Sequence, residues 1–190
     1  MTDESQRPSL RRPLLVALFA LYLVLLAWII LWKLELPYIG EAAGLSRPWK
    51  LIPFVPSGDA NWSNPLEVLA NILFFVPFGL YLGLLAPAWR WWNYAAVFAG
   101  ASLALEVTQH LISVGSFDST DVIANTAGGV AGLGLLAVAR RRLSPGALTR
   151  VLVVGAAVLV LAVVLFILSP LQYSGPRDVV VPLPGVSGRP

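Results

Sequence analysis

The sequence predicts an all-α protein, a polytopic membrane bundle of about five transmembrane helices. Three observations carry that reading. Of the 190 residues, 57% are apolar and 12% charged, against about 45–50% and about 25% in soluble domains. Mean hydropathy is +0.77. Several apolar runs also reach the roughly 20 residues that a spanning helix needs, because backbone polar groups in hydrocarbon must be satisfied within the chain.

The first span is expected over 13–32, after Arg7, Arg11 and Arg12. Its apolar core is longer than a signal peptide's and no small-x-small cleavage site follows, so it reads as a retained signal anchor. The others are expected over 66–85, 94–112, 121–139 and 147–168. Residues 1–12 form an N-terminal tail. Residues 169–190, with Pro170, Pro176, Pro182, Pro184 and Pro190, read as a disordered C-terminal tail. Between the first two spans lies the longest loop. Its LPYIG and KLIPFVP stretches suit the membrane surface, and a lid over a site is the alternative reading. Asn61-Trp62-Ser63 matches a glycosylation sequon, a triplet common by chance.

Basic residues suggest the orientation. With the N-terminus inside, Arg7, Arg11, Arg12, Arg90, Arg140, Arg141, Arg142 and Arg150 share the cytoplasmic side. Lys33, Arg47, Lys50, Arg177 and Arg189 lie opposite, and the C-terminus is outside. Trp89, Trp91 and Trp92 then mark the inner interface, with Trp28 and Trp32 at the outer one. The net charge of +3 reads as this topology signal. No basic face alternates with aromatics, so nucleic acid is not an expected partner. The chain has no Cys, which excludes disulfides, thiolate metal sites and thiol nucleophiles.

Against this apolar background, the stretch EVTQHLISVGSFDSTDVIAN (106–125) is unusually polar. Glu106 lies about 9 Å before the end of the third span, at 1.5 Å per residue. Gln109 and His110 share its face. Asp118, Asp121 and Asn125 are spaced by three and four, again on one face. On the second span Glu67 and Asn71 are four apart, with Asn71 roughly 8 Å in. Three helices thus bring polar residues to one depth. Ionisable groups within a span cost roughly 2.5–3.5 kcal/mol on insertion scales, so by default they suggest function. Bland roles compete. Asp118 and Glu67 suit helix starts, Asp121 suits a first turn, and Asn71 and Asn125 suit interhelical hydrogen bonds. Gly128, Gly129, Gly132 and Gly134 offer a small-residue face for close packing. Pro77 and Gly79 are expected to interrupt the second span and expose carbonyls to a cavity.

The order IPF (52–54), NILFFVPFG (71–79), EVTQ (106–109) and FDSTDVIANTAGG (117–129) resembles the VanZ-like family of small bacterial membrane proteins. The resemblance covers 51–139. It implies Asn71, Glu106, Gln109, Asp118, Asp121 and Asn125 as ligand-binding positions, with Pro77, Gly79, Gly128 and Gly132 structural. It also implies the bacterial cytoplasmic membrane and, through the family's namesake, a link to teicoplanin-type glycopeptide resistance. Many relatives carry an Arg where this chain has Gly115. The cluster is therefore expected to be acidic, with His110 as its one local candidate cation.

The preferred function is a non-catalytic pocket in the outer leaflet. Its ligand would be a lipid headgroup, a cell-wall precursor or a lipophilic glycopeptide. One alternative is a membrane enzyme acting on a lipid-linked substrate through Glu106, Asp121 and His110. The other is a structural scaffold. No cofactor or metal is expected, and neither oligomeric state nor catalytic residues can be read from the sequence.

Overall fold

The computed structural model describes residues 11–32, 39, 49–55 and 65–168. The expected tails, apart from Arg11 and Arg12, and the Asn61 sequon lie outside the described residues. All regular elements described are helices: α1 (Arg11–Trp32), α2 (Pro65–Leu85), α3 (Trp91–Leu111), α4 (Ser119–Arg142) and α5 (Pro145–Leu168). The all-α expectation holds. Among the described residues α1, α2 and α4 are long and apolar enough to cross a membrane by length and composition.

Helix α2 is the hub, touching α1, α3 and α4. Its contact with α4 is the most extensive, and glycines are the reason. A Cβ at Gly79 would sit 2.0 Å from the Gly129 carbonyl oxygen. At Gly128 it would meet the Ile72 oxygen at 2.2 Å, and at Gly132 the Val76 oxygen at 2.1 Å. Only hydrogen fits at those three positions, so the two backbones run in contact. Gly134 has nothing within 4 Å, so it does not belong to this face. Gly129 faces the ring of Phe98 on α3 instead.

Pro77 does not break α2. The helix runs through it to Leu85, which corrects the expected interruption. The ring removes one N–H and one helical bond, and the α4 contact on either side holds the axis. The apolar core lies along the middle of the bundle. Tyr22, Leu26 and Ile30 of α1 pack with Phe75, Phe78, Tyr81 and Leu82 of α2, and with Tyr94 and Phe98 of α3. The Tyr22 hydroxyl donates to the Phe74 carbonyl, so a phenol within the core keeps a partner, as buried polar atoms require. Helix α5 lies at the edge, against α1 and α4. At the arginine-rich end of α4, Arg140 donates to the Gly83 carbonyl at 3.0 Å, one of the last four carbonyls of α2, which lack helical partners.

Candidate functional site

The polar residues collect at the end of the bundle where α1 and α3 stop and α2 and α4 begin. Helix α3 closes there with a Schellman arrangement. Val114 N–H donates to the Gln109 carbonyl at 3.0 Å, and Ser113 N–H to the His110 carbonyl at 3.1 Å. Ser113 takes the left-handed φ of 58° that this motif needs, a place usually given to Gly. Helix α4 opens on Asp118, whose carboxylate accepts from Thr120 N–H at 2.7 Å, an N-cap as expected.

A cavity of about 200 Å³ lies at this end. Its polar lining is Glu67 and Asn71 from α2, Gln109 from α3 and Asp121 from α4. The apolar lining comes from Ile29 and Ile30 of α1 and from Ala70 and Phe74 of α2. Positions 67, 70, 71 and 74 recur at helical spacing, so one stripe of α2 forms a whole wall. Glu67 is exposed, so the cavity reaches the surface beside it. Gln109 is buried and donates from Nε2 to the Ile30 carbonyl at 2.7 Å. That carbonyl belongs to the last turn of α1, where helical partners run out.

The other expected ligand-binding residues lie outside the cavity lining. Glu106 is 1% exposed, and its Oε2 accepts from Asp118 N–H at 2.8 Å. It ties α3 to the start of α4. Asn125 is equally buried and donates from Nδ2 to Ser102 Oγ at 2.8 Å. Its Oδ1 and the Nδ1 of His110 are buried without a hydrogen-bond partner among the described residues. So Asn71, Gln109 and Asp121 share one cavity, while Glu106, Asp118 and Asn125 join helix to helix. Glu67, read from sequence as a helix-start residue, lines the cavity. Among the described residues no group of three or more His, Cys, Asp or Glu is placed to hold a metal.

The expectation that His110 is the one local cation is corrected by Lys50. Its Nζ lies 2.9 Å from Asp118 Oδ2, and the residue is buried. Backbone bonds hold it there, from Lys50 N–H to the Phe117 carbonyl at 2.9 Å and from Ser119 N–H to the Lys50 carbonyl at 3.0 Å. Trp49 and Phe54 follow it onto the ends of α3 and α4. Trp49 stacks on Phe117 and lies 4.5 Å from the His110 ring. Phe54, at a φ of 61° that costs a bulky residue strain, donates its N–H to Thr120 Oγ1 at 3.0 Å. None of 49–55 lines the cavity. The local signal in the sequence is weak, because Lys50 precedes Asp118 by 68 positions and stands among loop residues.

Burial pushes the Asp118 carboxyl up, but hydrogen bonds from Lys50 and Thr120 and the ammonium charge outweigh it, leaving the pKa below its ordinary 3.8. A lowered folded value means the contribution to stability is complete above the unfolded value and is lost as pH falls through the folded one. Thermal stability in detergent should therefore not change through this group between pH 7 and 5, and should drop below about 3.8. Asp118→Asn should flatten that acid limb. An unchanged acid limb in the variant would assign it to other carboxylates.

The sequence profile of the VanZ/LLP1 family matches residues 19–140. Protein VanZ from Enterococcus faecium is 35% identical over 148 residues, 77% of this chain and 89% of that protein. The chain belongs to the VanZ/LLP1 family. No solved structure matches it. The VanZ/LLP1 match runs from α1 into the last turns of α4 and includes every residue that lines the cavity. Helix α5 lies beyond it.

Proposed function

We propose that this VanZ/LLP1 protein binds, without catalysis, the polar end of an amphiphilic ligand in the cavity between α1, α2, α3 and α4. The ligand is a membrane lipid, a cell-wall precursor or a lipophilic glycopeptide. The observation that carries the reading is the cavity itself, with four polar side chains from three helices beside apolar walls at a helix-bundle end. Such a combination suits orientation by a few polar contacts and affinity from apolar ones. The eight-to-five distribution of Lys and Arg supports placing this end outside the cytoplasmic membrane, with the N-terminus inside. A role in teicoplanin-type resistance would then operate where glycopeptides meet the outer leaflet.

The scaffold reading keeps a specific support, since Gln109, Glu106 and Asn125 each bond another helix or its cap. Native mass spectrometry separates the two. Wild-type protein should retain an amphiphile that Asn71→Leu loses, because the leucine replaces a half-buried amide on the cavity wall. The variant should melt within a few degrees of wild type. No adduct on either protein, with a large loss of stability in the variant, would favour the scaffold.

A further inference from the structure

We propose that the opposite end of the bundle, where α2 and α4 finish and α3 begins, carries a site for the phosphate of an anionic phospholipid, independent of the cavity. The first argument is charge. The described Asp and Glu residues, Glu67, Glu106, Asp118 and Asp121, all lie toward the cavity end. Toward the other end stand Arg12, Arg90, Arg140, Arg141, Arg142 and Arg150, each exposed. Among the described residues none of these arginines has an ion-pair partner. Residues 1–10 hold Asp3 and Glu4 against Arg7, too few carboxylates to neutralise the arginines. Clusters of basic residues beside a spanning helix attract anionic lipids.

The second argument is that two of these arginines are fixed in place. The bond from Arg140 to the Gly83 carbonyl sets the arginine run of α4 beside the last turn of α2. From there the chain turns tightly into α3. Trp89 N–H donates to the Ala86 carbonyl at 3.1 Å, and Asn93 N–H to the Arg90 carbonyl at 2.9 Å. The Tyr94 hydroxyl donates to the Ala86 carbonyl from across the turn. Within this pinned turn the Arg90 guanidinium lies 3.5 Å from the centre of the Trp92 ring. Stacking restrains its plane and leaves its N–H edge to donate. Among the described residues the side chains of Arg90, Arg141 and Arg142 make no hydrogen bond. A phosphodiester supplies the acceptor oxygens that a guanidinium fork fits.

The third argument makes the phosphate a lipid's. Val130, Gly134, Val138 and Arg141 recur at helical spacing, so they share one stripe of α4, with Arg142 beside it. Val130 is 47% exposed and Val138 57%, and a Cβ at Gly134 would meet nothing within 4 Å. An open apolar track that ends in arginines matches an acyl chain leading up to a phosphate. Trp91 is 71% exposed at the start of α3, an indole at the headgroup depth that Trp favours. A free phosphate ion would use neither the track nor the indole.

The test is native mass spectrometry of the full chain in detergent, with phosphatidylglycerol and phosphatidylcholine as probes. Phosphatidylglycerol should be retained about tenfold more strongly, since one basic residue near an anionic surface accounts for about fivefold. The double variant Arg141→Gln/Arg142→Gln should lose most of that preference, and Arg90→Gln should lower it severalfold. All three side chains are exposed, so these variants should melt within a few degrees of wild type. Arg12→Gln/Arg150→Gln removes the same charge from α1 and α5 and should leave most of the preference. An equal loss in that control would reduce the effect to net charge and overturn the site. The preference should also survive Asn71→Leu; its loss there would put the lipid in the cavity instead. Equal retention of the two lipids by wild type would overturn the proposal outright. Displacement of phosphatidylglycerol by millimolar inorganic phosphate would overturn the lipid in favour of a free anion.

Discussion

Gly128→Ala is expected to destabilise the protein by about 3 kcal/mol or more, at or above the upper end of ordinary overpacking. Gly134→Ala, further along the same helix, is expected to be neutral. The chemistry of the two changes is identical and only the surroundings differ. The new methyl at 128 would lie 2.2 Å from the Ile72 carbonyl oxygen, while the one at 134 would meet nothing within 4 Å. A side chain in the way could rotate aside. A backbone carbonyl can yield only if α2 and α4 separate, and that would also disturb the Gly79 and Gly132 contacts. Melting temperatures in detergent, with size-exclusion profiles as a check on folding, measure the pair. Equal melting temperatures would mean that the two helices do not approach so closely.

Lys50→Met carries the second large effect. Removing one partner of a buried pair costs about 3–5 kcal/mol when the other is left uncompensated. Asp118 keeps 19% of its side-chain surface in this pair, so solvent recovers part of that and about 2–3 kcal/mol is expected. Asp118→Asn preserves a capping side chain and removes the carboxylate charge that lies 2.9 Å from the buried Lys50 ammonium. The double variant should therefore be more stable than the two single losses sum to. Strict additivity in that cycle would mean that Lys50 and Asp118 do not interact.

Lys50 also shows where the sequence stops being legible. Five helices follow from five apolar runs, because each run must satisfy its own backbone. The meeting of Asn71, Gln109 and Asp121 at one cavity follows from helical spacing and depth along antiparallel spans. Neither argument reaches Lys50. Its position depends on backbone bonds between a loop and the residues just before α4, and a loop has no period from which such pairing can be read. Spacing likewise could not divide the polar cluster. Glu106 and Gln109 share a face, yet one bonds the cap of α4 and the other the end of α1. That division depends on neighbouring backbones a few ångströms away. Pro77 shows the converse, a local breaker overruled by packing on both sides.

The bond pattern around Lys50 has a consequence for how the chain threads its membrane. Residues 50 and 118 are joined through backbone and side chain, so they must emerge on the same side of the bilayer, whichever side that is. The chain between them must therefore cross an even number of times; α2 is long and apolar enough for one crossing, so α3 is expected to be the return. A chain in which either helix failed to insert would strand Lys50 and Asp118 on opposite sides. The bridge thus acts as a parity check on insertion, closing only once the α2–α3 hairpin has been threaded whole.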